Sequence, residues 1–191
     1  MNNLRQKLIL VFIISLSLCL PGCFGNYVDY LFDDPPPNYN RHKSYRAKHK
    51  RPKQKNYSSR TVNNEDQSLQ AEVFRLVNME RSREGLPPLK SLPVLKEIAQ
   101  VRAEELPGRF EHRRPSGESW ESILSEYGIR WRFCAENIAM GQESPQAVMR
   151  SWMNSSGHRQ NILSHEAKYL GVGVVRANGR LWWSQNFLTP R

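Results

Sequence analysis

Beyond residue 66 the sequence contains no aspartate. A serine–histidine–aspartate triad therefore cannot be built in the last two thirds of the chain, although a glutamate could stand in for the missing acid. Cysteine is scarce: Cys19, Cys23 and Cys134 are the only three, too few for a disulfide framework. Long apolar runs are lacking too. The longest, Leu8 to Leu20, is thirteen residues interrupted only by serines. As a helix it would rise about 20 Å, short of the roughly 30 Å hydrocarbon core of a bilayer. Acid is missing altogether from Arg41 to Arg60, where nine Lys/Arg and two His accumulate.

What is present is 191 residues with a net charge of +10, enough for one domain and appendages. Residues 1–66 hold 11 Lys/Arg against 5 Asp/Glu, and residues 67–191 hold 17 against 13. The strong basicity thus belongs mainly to the front third.

Arg5 and Lys7 followed by the short apolar run form a secretory signal over residues 1–22. Leu20-Pro21-Gly22-Cys23 resembles the bacterial lipoprotein signal, which implies lipidation of Cys23, a membrane anchor and a place in the cell envelope. Pro21 departs from the usual residue at its position, and a soluble secreted or periplasmic protein is the alternative. Several acyl chains make a stable attachment where one alone is marginal. Cys134 is then the single thiol of the mature chain, expected as a small buried hydrophobe.

Residues 23–67 read as a tether. Pro35-Pro36-Pro37 stiffens its start, and the basic stretch has too little apolar surface to offset the entropy of ordering. It serves as a spacer or adheres to anionic envelope components. Nucleic acid is not an expected partner, since no nucleic-acid-binding module accompanies it.

Residues 68–191 carry the domain. Apolar stripes at helical spacing predict helices over Leu69–Glu84, closed by Gly85, and Pro93–Leu106, closed by Pro107-Gly108. Arg102 falls on the second stripe among Leu95, Ile98, Ala99, Ala103 and Leu106. A loop around His112 precedes a short helix, Glu118–Tyr127, and a short strand within Ile129–Glu136. Ser144-Pro145 starts a further helix ending near Ser155, which puts Glu136 and His158 at opposite ends of one rod. At the end, Tyr169–Arg176 and Leu181–Leu188 flank Asn178-Gly179, a type I′ hairpin signal. That turn sets Val174 opposite Trp183, Val172 opposite Gln185 and Leu170 opposite Phe187. Gln185 is then the lone polar group on an apolar face, while Gly171 and Gly173 on the other face invite close packing.

Six fragments in order resemble the CAP superfamily, also called SCP-like, in its short bacterial branch. They are Arg83-Glu-Gly-Leu-Pro-Pro-Leu89, Phe110-Glu-His112, Ala135-Glu-Asn-Ile-Ala139, Trp152-Met-Asn-Ser-Ser-Gly-His-Arg-Gln-Asn-Ile-Leu163, Leu170-Gly-Val-Gly173 and Gln185-Asn-Phe187. The resemblance implies an α/β fold, a three-layer α-β-α sandwich with a C-terminal β-hairpin and a cleft lined by two histidines and two glutamates. Within it, His112 matches the first histidine, Glu136 the first glutamate and His158 the second histidine. Ser155 stands where the second glutamate is expected. Ser155, Asn161 and Gln185 remain as supporting polar groups.

Two imidazoles and a carboxylate suit an open Zn²⁺ or Fe²⁺ site, and equally an acid/base pair for hydrolysis. They also suit a structural polar network in which Glu136 and His158 satisfy each other. Two function classes follow: an envelope-tethered module whose cleft binds a lipid, a cell-wall fragment or a partner protein, or a hydrolase of peptidoglycan or peptide bonds.

Overall fold

A computed structural model describes residues 64–191. The signal segment, Cys23 and the basic stretch lie outside the described residues. Among the described residues no helix is long and apolar enough to cross a membrane.

Helix α1 (Asn64–Arg83) buries Val73, Phe74 and Val77 on one face. It begins ahead of Leu69, where the apolar stripe starts, so the domain reaches into the segment read as tether. Glu65 and Asp66 occupy its first turn, where the helix dipole favours acid. Gly85, at φ 68°, closes it, and Leu86 N–H returns to Arg81 O at 2.9 Å. Strand β1 (Lys90–Ser91) leads into α2 (Pro93–Glu105), which has proline in its first turn and buries Leu95, Ile98, Ala99, Arg102 and Ala103. Helix α3 (Ser122–Glu126) is shorter than the predicted Glu118–Tyr127, because a bridge between Arg113 and Ser119 holds the preceding residues in a closed loop.

Strand β2 (Trp131–Met140) runs past Glu136, beyond its expected end. Its residues from Glu136 to Ala139 are all buried, so the one-sided alternation that marks a half-exposed strand is missing. Helix α4 (Pro145–Asn154) is capped by Ser144, whose side chain accepts from Ala147 N–H. After α5 (Ser156–Ile162) come β3 (Tyr169–Ala177) and β4 (Arg180–Pro190). Asn178 and Gly179 both have positive φ, as a type I′ turn requires, and the predicted register holds at Val174–Trp183, Val172–Gln185 and Leu170–Phe187.

The sheet order is β1-β3-β4-β2, with β2 and β4 antiparallel and β1 parallel to β3. On one face α1, α4 and α5 pack Val73, Val77, Val148, Trp152 and Ile162 against Leu170, Val172, Val174, Trp183 and Phe187. On the other, α2 lies so close that a Cβ on Gly171 would stand 2.2 Å from Leu95 O, and one on Gly173 2.0 Å from Ala99 O. The fold is thus three layers, helix–sheet–helix.

Side chains occupy backbone groups of β3 beyond its short pairing with β1, and of the edge strand β2. The Gln100 amide makes two hydrogen bonds to the Val174 backbone. On the outer side of β2, Trp152 Nε1–H donates to Ile138 O and Asn161 Nδ2–H to Glu136 O. This blunts an edge that would otherwise invite another strand.

Candidate functional site

Because side chains alternate along a strand, neighbouring β2 residues serve opposite faces. Glu136 turns toward α2. Its side chain is fully buried, as is that of Arg102, and Arg102 Nε–H donates to its Oε1 at 2.7 Å. Asn186, its partner across β4, adds a bond to the same oxygen at 3.4 Å. Oε2 receives Arg102 Nη2 at 3.4 Å and lies 2.9 Å from His112 Nδ1. Four contacts therefore meet a carboxylate with about four lone-pair positions.

Arg102 is shared. Its Nη1 donates to Glu105 at 2.5 Å and its Nη2 to Glu111 O at 3.1 Å. Arg114 binds Glu105 in turn and also pairs with Glu126. Burial alone would depress the Arg102 guanidinium, but its bonds to Glu136 and Glu105 outweigh that and raise it, so it stays charged. This ionic chain fastens the His112 loop to α2 and α3. Trp120 N–H→His112 O, 3.1 Å, closes the loop behind the ring. The His112 side chain remains 55% exposed.

Asn137 turns toward α5. It is fully buried and donates to His158 O at 3.1 Å and Gln185 Oε1 at 3.0 Å, while its own Oδ1 accepts from Asn161 at 2.8 Å. Gln185 passes the chain on to the sulfur of Met149. His158 is half-buried on α5. Its imidazole is pushed below the ordinary range, by burial first and then by the neighbouring His112. The two histidines thus approach the β2 edge from opposite layers, and the charge of His112 acts on His158.

The structure brings His112 and Glu136 into direct contact and places His158 within electrostatic reach of His112. It corrects the expectation that Glu136 and His158 sit at the two ends of one helix: Glu136 lies within a strand. It also corrects their mutual pairing, since His112 bonds Glu136, and His158 is held through its carbonyl by Asn137. Asn161 and Gln185 are in the network, Gln185 as the polar bridge its register suggests. Ser155 precedes α5, and its side chain caps nothing. Among the described residues no three His, Cys, Asp or Glu converge as a metal-ligand group, and the Glu136 oxygens are engaged by Arg102 and His112. Cys134 is half-buried, its thiol pushed up to about 11 by burial and then by nearby Glu121.

Sequence reasoning missed Arg102, Asn137 and Asn186 as site residues. The signal for Arg102 is an arginine on an otherwise apolar helical stripe, which must be buried and so must have a carboxylate partner. Nothing comparable marks Asn137 without its strand assignment.

The profile of the cysteine-rich secretory protein family, CAP, matches residues 74–187, which include all three of these histidine and glutamate positions. The protein YkwD of Bacillus subtilis is 35% identical over 120 residues, 62% of this chain and 46% of that protein. The membrane protein YlbC of the same organism is 29% identical over 119 residues, 61% of this chain and 33% of that protein. The chain therefore spans less than half the length of these relatives. An extracellular SCP-domain protein from Bacillus anthracis superposes with a TM-score of 0.60 at 28% identity, over 64% of this chain and 41% of that one. An outer surface protein of Borrelia burgdorferi, at 18% identity, shares the fold with a TM-score of 0.60 over 67% of this chain and 95% of its own. With the profile covering more than half of its length, this chain belongs to the cysteine-rich secretory protein (CAP) family.

Proposed function

We propose that this is an exported CAP protein, held in the cell envelope through Cys23, whose domain binds a polar cell-wall fragment at the β2 edge between His112 and His158. The observation that supports binding over catalysis is the state of Glu136. Both its oxygens are occupied, and a buried guanidinium balances its charge. A carboxylate so held is a poor base toward water, but a good anchor for a ring that must keep one orientation. In the neutral imidazole, Nδ1–H donates to Glu136 and Nε2 presents its lone pair outward. His158, kept neutral by burial, adds a second polar ring, and the exposed His112 side chain gives a ligand access.

The 2.9 Å contact from His112 Nδ1 to Glu136 favours one further reading. A carboxylate-oriented imidazole is also the base of a hydrolase, with Nε2 taking the proton of water. The two readings separate in one experiment. The full chain is incubated with purified peptidoglycan, and pelleted protein is measured beside released fragments. The binding reading expects co-pelleting without release, reduced in His112→Ala. Release that disappears in His112→Ala and Glu136→Gln would overturn it in favour of the hydrolase.

A further inference from the structure

We infer that the cell-wall ligand of this site is a carboxylated amino sugar, stacked on Phe110 and read by Arg113; the inference rests on the binding role of the His112 edge. Phe110 is the exposed large hydrophobic residue of the described chain, at 42% of its surface. A lone exposed apolar side chain ordinarily carries no meaning. This one differs in how it is held and in what stands beside it. Its ring meets Trp182 edge-on, with centroids 5.9 Å apart and planes at 68°. Trp182 is buried and fixed by its own Nε1–H bond to Ala177 O at 3.0 Å. The ring is therefore supported from one side and open on another.

The loop beneath it is equally fixed. Arg109 N–H returns to Glu105 O, Arg102 reaches Glu111 O, Arg113 is bridged to Ser119, and Arg114 is tied to Glu105 and Glu126. A backbone this constrained presents Phe110, His112 and Arg113 with little further ordering cost on binding. Arg113 is exposed, and its Nη1 donates to the carbonyl of Gly117 at 3.0 Å, a neutral acceptor. Glu111, on the same loop, is engaged by Arg109 at 2.9 Å.

An exposed aromatic ring, an exposed imidazole and an exposed guanidinium within four residues match three features of one ligand class. The apolar C–H face of a pyranose lies on the ring, its hydroxyl or amide groups meet His112, and a carboxylate meets the arginine fork. A neutral sugar would use only the first two.

The test is titration calorimetry of the full chain with two soluble disaccharides. One ends in N-acetylmuramic acid, and the other is N,N′-diacetylchitobiose, which lacks the carboxylate. The acidic sugar is expected to bind at least fivefold more tightly. Phe110→Ala should weaken both sugars at least fivefold, and Phe110→Trp should restore binding. Arg113→Gln should bring the acidic sugar down to the affinity of the neutral one and leave the neutral one unchanged. Equal affinities for the two sugars in the parent chain, or unaltered binding in Phe110→Ala with its near-ultraviolet dichroism intact, would overturn the inference. Phe110→Ala chains that still pellet with the wall while His112→Ala chains do not would overturn the platform and leave the binding role standing. Loss of pelleting from the parent chain itself would remove both.

Discussion

Glu136 and Asn137 are consecutive in the chain, yet they govern the two histidines from opposite faces of the sheet. Glu136 holds the ring of His112 at 2.9 Å on the α2 side, and Asn137 holds the carbonyl of His158 at 3.1 Å on the α5 side. One edge strand thus sets the geometry of both layers of the site. A one-residue slip of β2 would exchange the two roles and dismantle it.

The first prediction concerns Arg102. It has no exposed side-chain surface and stands between two buried carboxylates. Arg102→Met leaves Glu136 without its main counter-charge, and removing one partner of a buried pair costs about 3–5 kcal/mol. Arg102→Met with Glu136→Leu should cost less than the two single changes together, because no orphan carboxylate remains at that position. Urea unfolding of the four proteins measures this. Additive losses would show that the pair does not act as a unit.

Asn137→Ala strips partners from Asn161, Gln185 and the His158 carbonyl at once. Unsatisfied buried polar groups cost about 1–3 kcal/mol. The expected result is a loss of that size, with faster amide hydrogen exchange confined to α5 and the adjoining turn. Uniform acceleration across the domain would argue that Asn137 is a general core residue and not the fastening of α5.

His158 gives a pH dependence whose sign can be worked out. Its folded pKa lies below the ordinary 6.5. Above that value both folded and unfolded chains hold it neutral, and it contributes nothing to the pH slope. As pH falls through 6.5 the unfolded chain takes up the proton first, so stability declines until the folded pKa is reached and then levels. Denaturation midpoints from pH 7.5 down to 5 should therefore fall less steeply in His158→Gln than in the parent. An identical slope would show that the ring is not desolvated as described.

The elements that were legible in the sequence are those with a local cause. Asn178-Gly179 fixed the hairpin register because both residues tolerate positive φ, and the two glycines of β3 announced the close approach of α2. Strand β2 was not legible in full, since burial on both faces removes alternation. With the strand read only as far as Glu136, that residue was also set at the end of a helix, and Asn137 had no face to point to. The ionic chain through Arg102, Glu105 and Arg114 was hidden for a different reason. Its members are far apart in the chain from Glu136, and only the tertiary fold brings them together.

Gly173→Ala tests that close approach. Its new Cβ would meet the Ala99 carbonyl oxygen at 2.0 Å, and the obstacle is helix backbone, which cannot swing aside as a side chain does. Overpacking of this kind costs about 1–3 kcal/mol. Since α2 also carries Arg102, a shift of the helix should loosen Glu136 and change the His112 ring resonances. A stable variant with unchanged histidine spectra would mean that α2 does not bear on the site.

Metal binding is open to the same reasoning. A divalent cation recruited by His112 and His158 would need Glu136 as its anionic ligand, but that carboxylate already receives Arg102 on both oxygens. Turning it toward a metal would leave a buried guanidinium with only Glu105 for balance, and would bring a second positive charge close to it. Zinc added to the purified full chain is therefore expected to leave the melting temperature unchanged within about a degree, and His112→Ala should respond in the same way. A zinc-dependent rise of several degrees in the parent, lost in both His112→Ala and His158→Ala, would show that the Arg102 clamp opens and that the two imidazoles form a metal centre after all.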